Sequence, residues 1–286
     1  MTWNERVISD FGDEWQRFNY LNNEDSTELE FQFDRYFEPV PDNLQRRDDL
    51  VAADFGAGSG RWSFFLMRKC HRLYVVEPST KAIDIAKRRL GEISKITYLN
   101  EPIERNTVPV ESLDFAICLG VLHVVDDIQV SLDEISAKLK EGGYFLGYVY
   151  YSFENRPKSY FLLWKLSDYA RRRVSRFPRV LKFAFADLIA ALVYFPVSRT
   201  LLLLHKLGLD THNYPLNHYE ALNFKMMRND ALDRFGTTVE NRFSKKDLVI
   251  LLKNAGFDEH SIIFSENEPF WTFCARKKSS TVDSKE

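Results

Sequence analysis

The segment "DFGAGSGRW", Asp54 to Trp62, directly follows the apolar run Leu50-Val51-Ala52-Ala53. An apolar run that ends in an acid and three alternating glycines reads as a buried strand turning tightly into a helix, with backbone N–H groups and a positive helix end facing a ligand. The spacing is G-x-G-x-G through Gly56, Gly58 and Gly60, and the dinucleotide fingerprint G-x-G-x-x-G would want its third glycine where Arg61 stands. Asp54 sharpens the point. A carboxylate just ahead of the glycines repels a pyrophosphate at close range and favours a ligand that carries an ammonium group. Glu77, at the end of the next apolar run "LYVVEP", stands where an acid accepts hydrogen bonds from ribose hydroxyls.

Around this segment the chain alternates short apolar runs with amphipathic stretches: "LVAADF", Arg61 to Cys70, "LYVVEP", Thr80 to Leu90, "ITYLNEP" and "LDFAICLGVL". This is the rhythm of strands joined by crossover helices, and the continuously apolar strands are those of a parallel sheet covered on both faces. A helix is expected from Asp127 to Lys140, ended by Gly142-Gly143 before a strand "YFLGYVYYSF". Near the end, "RFSKKDLVILLKNAGF" offers Ser244 as N-cap with Asp247 three residues on, followed by strand candidates "SIIFSE" and "PFWTFCARK". "FGDEWQRFNY" and "FQFDRYFEPVP" are expected as helices laid against the sheet.

"DFGAGSG", "VVEPS", "LGVLHVVDD" and "LKEGGYFLGYVYY", in that order, closely resemble the class I S-adenosylmethionine-dependent methyltransferases of the small-molecule, type 11-like branch. The resemblance implies an α/β fold: a Rossmann-like, seven-stranded, mostly parallel sheet with helices on both faces, here with a helical insertion after the fifth strand. It also implies S-adenosyl-L-methionine as cofactor. Asp54, Gly56, Ala57, Gly58 and Gly60 would cradle the methionine part and Glu77 with Pro78 the ribose. Ile103 and Glu104 are the candidates near the adenine, and Leu119 and Gly120 line the end of the fourth strand. The domain plan is an N-terminal helical extension (1–48), the cofactor-binding core (49–154), a helical cap on the acceptor side (155–242), the last helix and strands of the core (243–277) and a disordered tail (278–286).

Methyl transfer from a sulfonium needs no covalent nucleophile, but an acceptor hydroxyl or acidic carbon must lose a proton. His123, just after the fourth strand, is the candidate base, with Asp126 to orient it; packing in the cofactor pocket is the competing role. Tyr150, Glu154 and Asn155, beyond the fifth strand, are candidates for the acceptor. The fourth strand ends in Leu119-Gly120-Val121-Leu122 and lacks the Asn/Asp-Pro-Pro-aromatic run of amine-methylating relatives, which points away from nucleic-acid amines. The formal net charge of -2 excludes whole-surface attraction to nucleic acid. No histidine spacing suggests a metal site, and three separated cysteines suggest a reducing cytoplasm.

These features together predict a methyltransferase for a small-molecule acceptor, such as a sugar, a lipid-linked molecule or a secondary metabolite. The alternative is a non-catalytic S-adenosylmethionine-binding or membrane-interaction protein. The stretch 158–206 mixes bulky apolar residues with Arg171, Arg172, Arg173, Arg176, Arg179 and Lys182. That mixture fits peripheral contact with an anionic membrane, an anionic acceptor, or an ordinary solvated helix face. Asp187, Pro196 and Arg199 interrupt the most apolar stretch, so no spanning helix is expected there.

Overall fold

The computed structural model describes residues 5–19, 26–154, 158–211, 214–220, 222–265 and 270–279. Asn155 and residues 280–286 lie outside the described residues. The chain divides into two compact units, Met1–Ser152 with Asn241–Glu286, and Phe153–Glu240.

In chain order the first unit contains α1 (Glu5–Arg17), α2 (Ser26–Phe37), α3 (Asp42–Gln45), β1 (Leu50–Phe55), α4 (Ser63–Leu66), β2 (Cys70–Val76) and α5 (Thr80–Leu90). It continues with β3 (Ile96–Leu99), β4 (Leu113–Leu119), α6 (Ile128–Lys138) and β5 (Leu139–Val149). The second unit supplies α7 (Lys158–Val174), α8 (Arg179–Ile189), α9 (Phe195–Lys206) and α10 (Phe224–Gly236). The chain then returns to the first unit as α11 (Lys245–Asn254), β6 (Ile263–Phe264) and β7 (Trp271–Arg276).

The seven strands form one sheet in the order β3-β2-β1-β4-β5-β7-β6. The first five pair in parallel, and β7 runs antiparallel to both of its neighbours. This is the seven-stranded, mostly parallel sheet that the family resemblance implied. The strand order reverses between β1 and β4, and in an open sheet of this kind the crevice beyond the carboxyl ends at that reversal holds the ligand.

Burial explains the composition of the strands. Ala52, Ala53 and Phe55 of β1, Phe115 to Cys118 of β4, and Phe145 and Leu146 of β5 have no exposed surface, as expected for strands covered on both sides. Gly147 of β5 faces Phe273 of β7 in the register. A Cβ there would stand 2.4 Å from the Phe273 ring, so the glycine leaves the room that the ring fills.

Several boundaries differ from expectation. Helix α6 stops at Lys138, and β5 already begins at Leu139, whose side chain is fully buried opposite Leu113. Gly142 and Gly143 therefore lie inside the strand, at a register shift where Gly142 takes φ +71°. The stretch "SIIFSE" yields only the two-residue β6. Ser244 and Asp247 do form a reciprocal capping box at the start of α11.

The unit Phe153–Glu240 is helical throughout its regular elements, with α10 packed against α7 and α8. Its arginines are not all solvated. Arg171 is buried, pairs with Asp168 at 2.6 Å and donates to the Thr237 and Thr238 carbonyls at 2.9 and 3.1 Å. Two flanking arginines hold the Asp168 carboxyl below its ordinary range despite its burial. Arg234 bonds Glu240, and Arg228 forks onto Asp187 at 2.8 and 3.1 Å.

The apolar stretch is also more regular than expected. Helices α8 and α9 join through a π-turn at Ala190–Tyr194 into one helix from Arg179 to Lys206. Proline removes an N–H and crowds the carbonyl four residues earlier, and a widened turn just before Pro196 absorbs both effects. Asp187 and Arg199 do not break the helix because each has a partner within the unit, Asp187 from Arg228 and Arg199 through the carbonyls of Glu220 and Leu222.

Candidate cofactor and acceptor site

The glycine turn after β1 is held by its neighbours. Gly56 and Ala57 donate their N–H groups to the Val76 carbonyl at 2.8 and 3.1 Å, which ties the turn to the end of β2. Gly56 and Gly58 have φ values of +72° and +55°, a region costly for other residues. A Cβ on Gly56 would stand 2.5 Å from the Val121 side chain, and one on Gly58 would stand 2.7 Å from the Trp15 indole. Close approach is thus required from both sides, by the loop after β4 and by helix α1.

Glu77 fastens two loops at once. It accepts the Gly58 N–H at 2.9 Å on one oxygen and the Ser79 N–H at 2.8 Å on the other. Its backbone is fixed in turn by Asn100, whose amide donates to the Glu77 and Pro78 carbonyls at 2.8 and 2.9 Å. A carboxylate offers about four acceptor positions, so two remain for a vicinal diol. Burial pushes the Glu77 carboxyl up to about 7, against the pull of its two backbone donors and with help from the nearby Asp54 charge.

Asp54 is 1% exposed and accepts a 2.5 Å hydrogen bond from the Ser63 hydroxyl. Burial raises its carboxyl to about 7 as well, opposed by the Ser63 bonds and the Arg61 charge. Two buried acids at the carboxyl ends of adjacent strands favour a cationic ligand, because such a ligand removes the cost of ionising them. The residues present therefore fit a nucleoside with an amino-acid chain. The glycine cradle admits no side chain, one acid keeps acceptor positions that would suit a diol, and the other lies beside the turn.

Of the remaining predicted residues, Ile103 is fully buried in a short turn after β3. Glu104 is partly exposed and accepts the Ser131 hydroxyl at 2.7 Å. Leu119 is buried, and Gly120 takes φ +81° and donates to the Tyr148 carbonyl at 3.2 Å. Glu154 is exposed and belongs to the helical unit.

His123 is 1% exposed and stacks on Tyr150 with ring centres 3.9 Å apart, while its carbonyl accepts the Asn241 N–H at 2.7 Å. Asp126, expected to orient the imidazole, is exposed. Among the described residues, no three His, Cys, Asp or Glu side chains converge as a metal site.

Sequence reasoning picked out Tyr150 but missed the rest of an aromatic wall beside His123. Tyr148 and Tyr150 alternate along the chain at the end of β5 and lean to the same side. Tyr36 of α2 stacks on Tyr148 at 5.2 Å and meets Trp62 edge-on, Phe270 lies 4.6 Å from Tyr148, and Arg242 sits over Tyr150 at 5.1 Å. The period-two tyrosines of "GYVYY" were a usable signal. Trp15 and Tyr36 left none, because each arrives from a helix far away in the chain.

The family model for a methyltransferase domain matches residues 53–147, from β1 to the end of β5. Over these residues the chain carries a methyltransferase domain, on the fold of the class I S-adenosylmethionine-dependent methyltransferases. S-adenosylmethionine is the cofactor of that family. The methyltransferase domain is 29% identical over 92 residues to the methyltransferase gedG of Aspergillus terreus, an alignment covering 32% of this chain and 29% of that protein. The chain thus spans under a third of that curated relative. Two solved structures share the fold. One is a S-adenosylmethionine-dependent methyltransferase of Thermotoga maritima, with a TM-score of 0.50 and 17% identity, covering 94% of this chain and all of that one. The other is the 1,6-didemethyltoxoflavin-N1-methyltransferase of Burkholderia thailandensis, solved with its acceptor and S-adenosylhomocysteine, with a TM-score of 0.51 and 16% identity over 96% of this chain and 88% of that one.

Proposed function

We propose that the protein transfers a methyl group from S-adenosylmethionine to a small-molecule acceptor bound against the aromatic wall of Tyr36, Tyr148 and Tyr150. The observation that carries this reading is the joint fastening of the glycine turn and Glu77, with Asp54 buried beside it. When bound, the cofactor supplies a methyl group on a sulfonium whose leaving group is a neutral thioether. In this reading Glu77 accepts the ribose hydroxyls and Gly58 lets the backbone come close. Ile103 and Glu104 border the adenine, and Leu119 and Gly120 floor the crevice. Asp54, ionised by the ligand's positive charge, holds the amino-acid end. The tyrosines exclude water and align the acceptor.

His123 is the proposed proton acceptor, taking the acceptor's proton on an imidazole nitrogen as the new bond forms. The half-buried aromatic faces suit an acceptor that presents a ring or an apolar surface, as a sugar, lipid-linked molecule or secondary metabolite does. Residence in the cytoplasm is part of the proposal, supported by three free, buried cysteines whose thiols are pushed upward by burial.

Calorimetry with S-adenosylmethionine, followed by formation of S-adenosylhomocysteine in a metabolite extract, tests the reading. Binding with turnover supports it. Binding without turnover in any relevant extract leaves the non-catalytic alternative standing. His123→Gln separates base from packing: a base loses kcat and its pH profile with cofactor affinity intact, whereas a packing residue loses stability alone.

A further inference from the structure

The large apolar side chains that face solvent are concentrated in Phe153–Glu240. The continuous helix Arg179–Lys206 is long and apolar enough to cross a membrane, yet only 22% of its most apolar stretch is buried within the protein. One stripe, through Lys182, Ala186, Ala190, Tyr194 and Ser198 at four-residue spacing, is buried. Leu188, Leu192, Phe195 and Leu203 face outward, at 54%, 67%, 42% and 58% exposure. A solvated helix would carry polar residues there.

Charge on the same segment is one-sided. Between Lys158 and Lys206 stand ten lysines and arginines and two acids, Asp168 and Asp187. Both acids are engaged within the unit, Asp168 by Arg171 and Arg172 and Asp187 by Arg228. Exposed cations such as Lys165, Arg173, Arg176 and Lys206 therefore meet no balancing acid on this segment. The same contacts argue against spanning: the inner stripe is covered by α10, and Arg199 is tied to carbonyls beyond the helix. A crossing helix would drag these polar groups into hydrocarbon.

We infer that the outward face of helix 179–206 lies in the plane of an anionic phospholipid bilayer, its leucines at the acyl boundary and the neighbouring arginines and lysines on lipid phosphates. The bilayer is a partner distinct from the methyl acceptor, and the inference does not rest on the methyltransferase reading.

Flotation of the full-length protein with phosphatidylcholine vesicles, with and without phosphatidylglycerol, tests it. Binding is expected with phosphatidylglycerol and weakens as salt rises. Leu192→Glu with Leu203→Glu abolishes flotation. Arg173→Gln with Arg176→Gln lowers partitioning by roughly thirtyfold, at about fivefold per cation near the surface. Cofactor binding by calorimetry, which reads the other unit, and unchanged helicity establish that each variant is folded. No flotation with either vesicle overturns the inference, as does flotation that survives the double glutamate variant. Sedimentation that shows a dimer converted to monomer by the same glutamates, without vesicle binding, assigns the face to a second copy and overturns it too.

Discussion

Replacing Asp54 by Asn should move stability and cofactor binding in opposite directions. Asp54 is buried and its carboxyl is raised to about 7, from 3.8 for an ordinary aspartate. The sign follows from proton counting. Between about pH 4 and pH 7 the folded protein keeps this proton while the unfolded chain has released it, so stability falls as pH rises through that window and levels off above it. Three units correspond to about 4 kcal/mol at most, and relaxation around the ionised group reduces this toward about 2 kcal/mol. Asn keeps the shape and can still accept the Ser63 hydroxyl, but it never ionises. Urea unfolding of the ligand-free protein should show Asp54→Asn matching the parent near pH 4 and exceeding it by about 2–4 kcal/mol at pH 8. Calorimetry at pH 7.5 should show S-adenosylmethionine binding weakened more than tenfold, because the variant has no charge to meet the ligand's amino group. A variant less stable than the parent at pH 8, or one that binds the cofactor as tightly, refutes the electrostatic account of this pocket.

The parent's own affinity should improve from pH 5.5 to 7 with release of protons on binding, detectable in buffers of differing ionisation enthalpy; a flat profile counts against ionisation of Asp54 and Glu77 by the ligand. Gly58→Ala should cost about 1–2 kcal/mol from its positive φ and more from the clash with Trp15. In a Trp15→Ala background only the backbone cost should remain, and equal costs in the two backgrounds would show that the indole does not press on the turn. Arg171→Ala should destabilise the helical unit by about 3–5 kcal/mol, because Asp168 is left buried beside lost carbonyl bonds. Arg172→Ala, at an exposed partner of the same acid, should cost under about 1 kcal/mol in the same thermal melt.

Much of the sheet was legible because its strands are buried on both faces and its turns need glycine at particular places. Asp54, Gly56, Gly58 and Glu77 could be picked out for the same reason: each has a local signature in the residues around it. The Gly142-Gly143 pair misled because a glycine pair is as good a bulge as a helix stop, and only the fit of Leu139 opposite Leu113 decides between them. Arg171 looked like one more surface cation, since the partners that bury it include carbonyls 66 and 67 residues away. The aromatic wall was half legible, in the alternation of Tyr148 and Tyr150. The indole at Gly58 and the ring of Tyr36 could come only from tertiary structure.

The chain leaves the sheet after β5 and re-enters it through a narrow neck. Phe243 donates to the Tyr150 carbonyl and accepts from the Ser152 N–H, both at 3.0 Å, so the two ends of the helical segment are clasped side by side. A segment so tethered costs the sheet little more than closing a loop, a cost that rises only slowly with length. The helical segment can therefore be exchanged, lengthened or deleted with the sheet left intact, and a short turn joining Ser152 to Asn241 should yield a miniature protein that still binds S-adenosylmethionine in a calorimeter.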